Sequence, residues 1–168
     1  MYRIRPEAAD DAAAITNLIQ TAFATAVHRS GTEGPIVSAL RTAGELTVSL
    51  VAESDGQLVG HVTISPVRIS DGSTGWYGLG PVSVLPTHQG LRIGAALIRQ
   101  ALDDLRACGA AGCVVLGDPV YYARFGFAVV PTLVLPGVPA AYFQAMAFTG
   151  RYAQGEVAYS PAFEVQAS

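Results

Sequence analysis

One stretch of this sequence has the makings of an anion site: Val84-Leu85-Pro86-Thr87-His88-Gln89-Gly90-Leu91-Arg92-Ile93-Gly94-Ala95-Ala96-Leu97. A strand-like run ends at a proline, a short polar and glycine-containing segment follows, and a strongly amphipathic helical pattern begins. A helix entered in this way aims unused backbone N–H groups and the positive end of its dipole at one spot, which suits a pyrophosphate. Gly90 and Gly94 let an anionic ligand approach the main chain closely. Read alone, the same loop is also a simple chain reversal. It is not a Walker loop, since no GK[ST] follows, and not a dinucleotide fingerprint, since GxGxxG is missing.

The elements that must position this loop read as an alternating α/β pattern. Residues 2–5 suit a short strand closed by Pro6, and Asp10 and Asp11 then supply carboxylates at a helix start. The first helix carries one apolar stripe, Ile15, Leu18, Ile19, Ala22, Phe23 and Ala26. After a turn-rich break at 30–34, a second helix is expected over 35–43, stopped by Gly44. Strands follow at 47–53 and 58–65, joined through Asp55-Gly56, a strong hairpin signal. Trp76 opens a fourth strand, 76–85, whose Gly78, Gly80 and Pro81 predict a bulge or a splayed edge.

From Ile93 to Cys108 the helical period returns, with Leu97, Ala101 and Leu105 on one face and Arg99, Asp103 and Arg106 on the other. The apolar run 113–116 predicts a central strand covered on both sides. A short helix over 119–124, a strand over 127–130 and a closing strand over 155–159 complete the reading. The apolar segment 142–148 has no decided form. Residues 140–148 would either cover the sheet or supply the patch of a homodimer.

Composition narrows the function. The chain has 168 residues, enough for one core, and a single domain over 1–168 is expected. With 51% hydrophobic and 14% charged residues it is not a disordered sequence. A net charge of −3 without a basic run excludes the electrostatic footprint of a nucleic-acid binder. No stretch has the length of a membrane span or a signal peptide, so no membrane partner and a cytoplasmic, reducing location are expected. Cys108 and Cys113 have neither a CxxC nor a zinc spacing and read as reduced thiols. His28 and His88 lack partners for a metal, and none is expected.

Two blocks together carry a resemblance. Val84-x-Pro86-x-x-Gln89-Gly90-x-x-Ile93-Gly94-x-x-Leu97 resembles the acetyl-CoA signature, Q/R-x-x-G-x-G/A, of the GCN5-related N-acetyltransferase (GNAT) family. Gly117-Asp118-Pro119-x-Tyr121-Tyr122-x-Arg124-Phe125-Gly126-Phe127 resembles that family's later Tyr-x-x-x-Gly-Phe segment. With residues 155–163, the likeness is greatest to the YhbS-like branch. One departure is Arg92, which stands where the signature has its first glycine; its amide still donates and its guanidinium can pair with phosphate.

The resemblance implies the acyl-CoA N-acyltransferase fold: a mixed, twisted sheet of about seven strands with helices on both faces. It implies acetyl-CoA as co-substrate and transfer of its acetyl group to a primary amine of a small molecule or peptide by direct attack in a ternary complex. Val82, Ser83 and Val84 would meet the pantetheine arm and the thioester carbonyl. The amides of Gln89, Gly90, Leu91, Arg92, Ile93, Gly94 and Ala95 would bind the pyrophosphate. Tyr122, four residues before Gly126, would lie near the sulfur as general acid. The attack develops an oxyanion that a fixed N–H donor stabilises better than mobile water.

For the general base the residues leave four candidates: Glu33, before the second helix and near the acceptor mouth in the family layout, and Glu53, His61 and Tyr77. A non-catalytic acyl-CoA-binding or regulatory module on the same fold, and a plain structural domain, are the competing readings.

Overall fold

The computed structural model describes residues 1–24 and 32–164. Ala26 and His28, and residues 30 and 31 of the predicted break, lie outside them. The chain runs β1 (Arg3–Pro6), α1 (Ala12–Phe23), α2 (Glu33–Thr42), β2 (Val48–Ser54), β3 (Gln57–Ile69) and β4 (Trp76–Val84). It continues with α3 (Ile93–Ala107), β5 (Gly112–Leu116), α4 (Pro119–Ala123), β6 (Leu133–Val134), β7 (Phe143–Ala147) and β8 (Gly155–Tyr159).

Local chemistry sets the early elements. Asp11 accepts hydrogen bonds from the Ala8 amide at 2.6 Å and from Arg5 at 2.7 and 3.1 Å, which fixes the chain's entry into α1. Asp55 and Gly56 both take positive φ, 52° and 76°, as a tight two-residue hairpin demands.

The sheet has eight strands in the order β1-β2-β3-β4-β5-β7, with β8 on the outer half of β3 and β6 on β8. Neighbours are antiparallel except for β4 with β5 and β6 with β8. The count exceeds the expected seven because 142–148 contains a true strand, β7, and because two residues at Leu133 form β6. The expected strand over 127–130 is absent. There Phe127 is buried as a core residue, and only Ala128 bridges to Ala145. β7 pairs with β5 as a strand of the sheet itself and is largely buried, while Tyr142 before it is half exposed.

Helices lie on both faces. Ala52, Gly60 and Val62 turn toward α3, so closely that a β-carbon on Gly60 would stand 2.9 Å from Leu97 Cδ1 and 3.1 Å from Ile93 Cγ2. Leu97 is fully buried, a contribution of about 1.5–3 kcal/mol for a side chain of its size. On the opposite face Val51 packs with Ile15 and Ile19 of α1 and Val37 of α2.

Two irregularities of β4 shape the centre of the molecule. Gly80 and Pro81 together oppose the single residue Thr63, a β-bulge, and the Thr63 hydroxyl donates to the Pro81 carbonyl at 3.3 Å. Pairing of β4 with β5 extends only from Trp76/Gly112 to Leu79/Val115. Beyond it β4 stays with β3 as far as Val84, while β5 stays with β7 as far as Leu116. The two central strands diverge, as Gly78, Gly80 and Pro81 predicted.

Candidate active site

The loop after β4 brings its residues to the open end of this divergence. The Gln89 side-chain amide donates to the Val84 carbonyl at 3.2 Å, pinning the loop to the strand. Gly90 and Arg92 both adopt positive φ, 82° and 64°. Arg92, at the left-handed position that favours glycine, is the N-cap of α3, and no side chain caps this helix. The first amide satisfied within the helix is Ala96, to the Arg92 carbonyl at 3.1 Å. The N–H groups of Ile93, Gly94 and Ala95 therefore have no intrahelical partner and open outward.

They open into a cleft of about 310 Å³ lined by Val84, His88, Gln89, Gly90, Arg92, Ile93, Gly94, Ala95, Tyr121 and Arg124. Seven of the predicted ligand residues are thus brought together. Leu91 stands aside at 58% exposure, and Val82 and Ser83 lie upstream on β4, Ser83 buried. Sequence reasoning did not assign His88, Tyr121 or Arg124 to this wall. A signal for Arg124 existed, since it lies one helical turn from Tyr121: its guanidinium covers that ring at 4.5 Å and its Nε donates to the Tyr121 carbonyl at 2.9 Å.

The two tyrosines of α4 have separate positions. Asp118 accepts from the Val120 amide at 2.9 Å and Pro119 takes the first helical position, which starts α4 directly after β5. Tyr121 faces the cleft. Tyr122 sits against Gly117, where a β-carbon would be 2.5 Å from its ring, and edge-on to Phe127 at 6.0 Å and Tyr121 at 5.1 Å. Burial, with a smaller effect of Tyr121, pushes the Tyr122 phenol up to about 12, so it keeps its proton throughout the neutral range.

The base candidates separate as clearly. Glu53 is bound to Arg3 at 3.3 Å and Arg5 at 3.5 Å on the β1 edge, which makes it a structural ion pair. Tyr77 packs against the α3-side core. Glu33 is not a loop residue but the first residue of α2, a position that favours a carboxylate.

His61 is fully buried on β3, with Nε2 2.9 Å from Ser49 Oγ and 3.7 Å from Glu7 Oε1. Ser49 in turn donates to Glu7 Oε1, and Arg41 of α2 holds the same carboxylate at 2.9 and 3.1 Å. Burial raises the Glu7 carboxyl, but the nearby His61 ring and the bonds from Arg41 and Ser49 outweigh it and bring it down to about 2. His61 Nδ1, Ser65 Oγ and Ser83 Oγ, all buried, have no hydrogen-bond partner among the described residues. Nor do the described residues contain a group of three or more His, Cys, Asp or Glu able to hold a metal ion. No helix among them is long and apolar enough to cross a membrane.

The parting of β4 from β5 and the uncapped start of α3 thus meet at one mouth. The chain belongs to the acetyltransferase (GNAT) family, whose model matches residues 13–127. It is 38% identical over 125 residues to the uncharacterized N-acetyltransferase YhbS of Escherichia coli K12, covering 74% of this chain and 72% of that one. The solved GNAT family acetyltransferase of Brucella melitensis in complex with acetyl-CoA superposes with a TM-score of 0.87 and 50% identity over 97% of this chain and 98% of that one. YhbS of E. coli in complex with CoA superposes with a TM-score of 0.86 and 33% identity, over 98% and 92%.

Proposed function

We propose that this chain transfers the acetyl group of acetyl-CoA to a primary amine of a small molecule or peptide, by direct attack in a ternary complex in the cytoplasm. One observation carries the reading: the unused amides of Ile93, Gly94 and Ala95 face a cleft that reaches Val84, the last residue of the β4 segment that β5 leaves unpaired. Amides fixed at a helix start are suited to a diphosphate, and the Arg92 guanidinium in the same wall adds a charged donor.

Bound acetyl-CoA supplies a thioester, whose carbon the amine attacks. Main-chain groups of Val82, Ser83 and Val84 hold the pantetheine arm and stabilise the charge that grows on the thioester oxygen. The Tyr122 hydroxyl donates to the departing sulfur. Because a thiol ordinarily titrates near about 8.5, a phenol raised to about 12 assists chiefly as a hydrogen-bond donor, with full proton transfer uphill. Glu33, opening α2, draws in a cationic amine and is one candidate for its proton.

The test has two stages. CoA at roughly 100 times its dissociation constant should stabilise the fold by about 2.7 kcal/mol. Thiol release from acetyl-CoA is then followed with a diamine, an arylethylamine and a short peptide. No thermal shift with CoA would sink the reading, while a shift without turnover on any amine would leave a non-catalytic acyl-CoA module.

A further inference from the structure

Four polar residues from four adjacent segments form one row across the sheet. Glu7 follows β1 and its amide bonds the Ser49 carbonyl at 3.0 Å. Ser49 is the partner of Thr63 and so the diagonal neighbour of His61; His61 in turn stands directly opposite Ser83. Residues so paired share a face. The row therefore runs beneath α1 and α2 from Glu7 and Arg41, at the partly exposed rim, to the segment of β4 that β5 leaves unpaired.

The protonation pattern within the row follows from donor counting. A carboxylate only accepts, so the one hydroxyl hydrogen of Ser49 goes to Glu7. Toward His61 the Ser49 oxygen can then only accept, so Nε2 carries the imidazole hydrogen and Nδ1 presents a lone pair. That lone pair is buried and unpartnered among the described residues, and so is the hydroxyl of Ser83, its pair partner on β4, so the two stand beyond hydrogen-bond distance of each other. The charged groups near His61 are Glu7 and, behind it, Arg41; the overlying helices present Ile15, Ile19 and Val37, and the β2 residue opposite is Val51. A buried orphan pair is costly to a fold unless it serves something else.

We propose that this row is the proton acceptor of the reaction, with Ser83 touching the amine and His61, held by Ser49 and Glu7, taking the proton through it. The inference rests on the acetyltransferase reading. As the neutral amine forms its N–C bond and the C–S bond breaks, the amine proton passes to Ser83 Oγ while the Ser83 proton, brought within reach of His61 Nδ1 by rotation about the Ser83 Cα–Cβ bond, passes to that nitrogen. The imidazolium is compensated by the Glu7 carboxylate 3.7 Å from Nε2. The departing thiolate takes a proton from solvent after release, and His61 returns its own to solvent, so the sum is amide plus free thiol.

The first measurement needs no acceptor: ring nitrogen shifts of His61 in the CoA-bound wild-type protein. The Nε2–H tautomer is expected; an Nδ1–H tautomer leaves no lone pair toward Ser83 and overturns the proposal. The second is thiol release with the fastest of the three amines above. His61→Asn should lower kcat roughly 100-fold and remove one ionisation from the acid limb of the kcat/KM profile, leaving that of the amine, while the CoA-induced thermal shift stays.

If His61→Asn does not fold, Ser83→Ala decides. It removes an unpaired hydroxyl, so Tm should rise while kcat falls about tenfold and the acid limb moves. Wild-type rates and an unmoved profile in a folded variant would overturn the proposal. So would loss of the enzyme's ionisation from the acid limb in Glu33→Gln alone, which leaves the acetyltransferase reading standing; only an absent CoA shift in the wild type removes both.

Discussion

The hydroxyl of Tyr121 faces the backbone of Gly94 across the cleft, so closely that a β-carbon on Gly94 would stand 3.7 Å from it. Its neighbour in sequence, Tyr122, turns instead to Gly117 and Phe127. Adjacent residues on a short helix thus serve two places.

Substitution should separate them. Tyr122→Phe keeps the ring and its packing and removes only a donor, so kcat should fall roughly ten- to a hundredfold with the CoA dissociation constant nearly unchanged. Tyr121→Ala removes a wall of the cleft and the ring under Arg124, and should weaken CoA binding first. Steady-state kinetics beside calorimetric CoA titration reads both; the reverse assignment of effects would refute the division.

Arg92 holds a left-handed backbone at φ 64°. A side chain there costs about 1–2 kcal/mol, offset in part by the roughly 0.5–1 kcal/mol that glycine loses in conformational freedom on folding. Arg92→Gly should therefore raise stability slightly, by less than about 1 kcal/mol. Its CoA affinity should nevertheless drop several-fold, because the guanidinium leaves the cleft. Equal affinity in the two proteins would show that the arginine does not meet the ligand.

Much of the frame could be read from sequence because its signals are local. Asp55-Gly56 dictates its hairpin, and the period from Ile93 onward marks α3 within a residue of its observed end at Ala107. Gly80-Pro81 announced the bulge. What escaped depends on distant partners: Leu133 and Val134 become a strand only because β8 lies beside them, and the run at Phe127 loses its strand to a single bridge. The Gln89 to Ala95 loop was legible as a strand-to-helix turn with free amides at its helix start. Which of two adjacent tyrosines faces it was not, since spacing fixes order along a helix and says little about neighbours in space. The Glu7-Ser49-His61-Ser83 row was invisible for the same reason: its members come from separate segments, and the pattern exists only once the strands are in register.

Gly60 is the point where sheet and helix meet most tightly. Gly60→Ala pushes a methyl group against Leu97 and Ile93, both buried, and overpacking of this kind costs typically about 1–3 kcal/mol. Chemical denaturation should show the loss, with the slope unchanged. A neutral result would mean that α3 can shift outward freely.

Stability should also depend on acid through Glu7. Its folded value of about 2 lies below the ordinary 4.5, so its stabilisation is complete above about pH 4.5 and fades as the pH falls toward 2. The full effect is on the order of 3 kcal/mol. Urea unfolding at a series of pH values should show a decline through that window, and Glu7→Gln should flatten it.

The parting of β4 from β5 has a mechanical side. Five consecutive residues, 80–84, keep a backbone edge for which no neighbouring strand is present among the described residues, and an unzipped edge in mid-sheet is a weak seam as well as an opening. A pantetheine arm laid along it would act as the missing rung of a ladder. Deuterium uptake at the β4 amides of this stretch that do not bond β3 should be quick in the free chain and slow in the presence of CoA, and a co-substrate so bound would double as a strut.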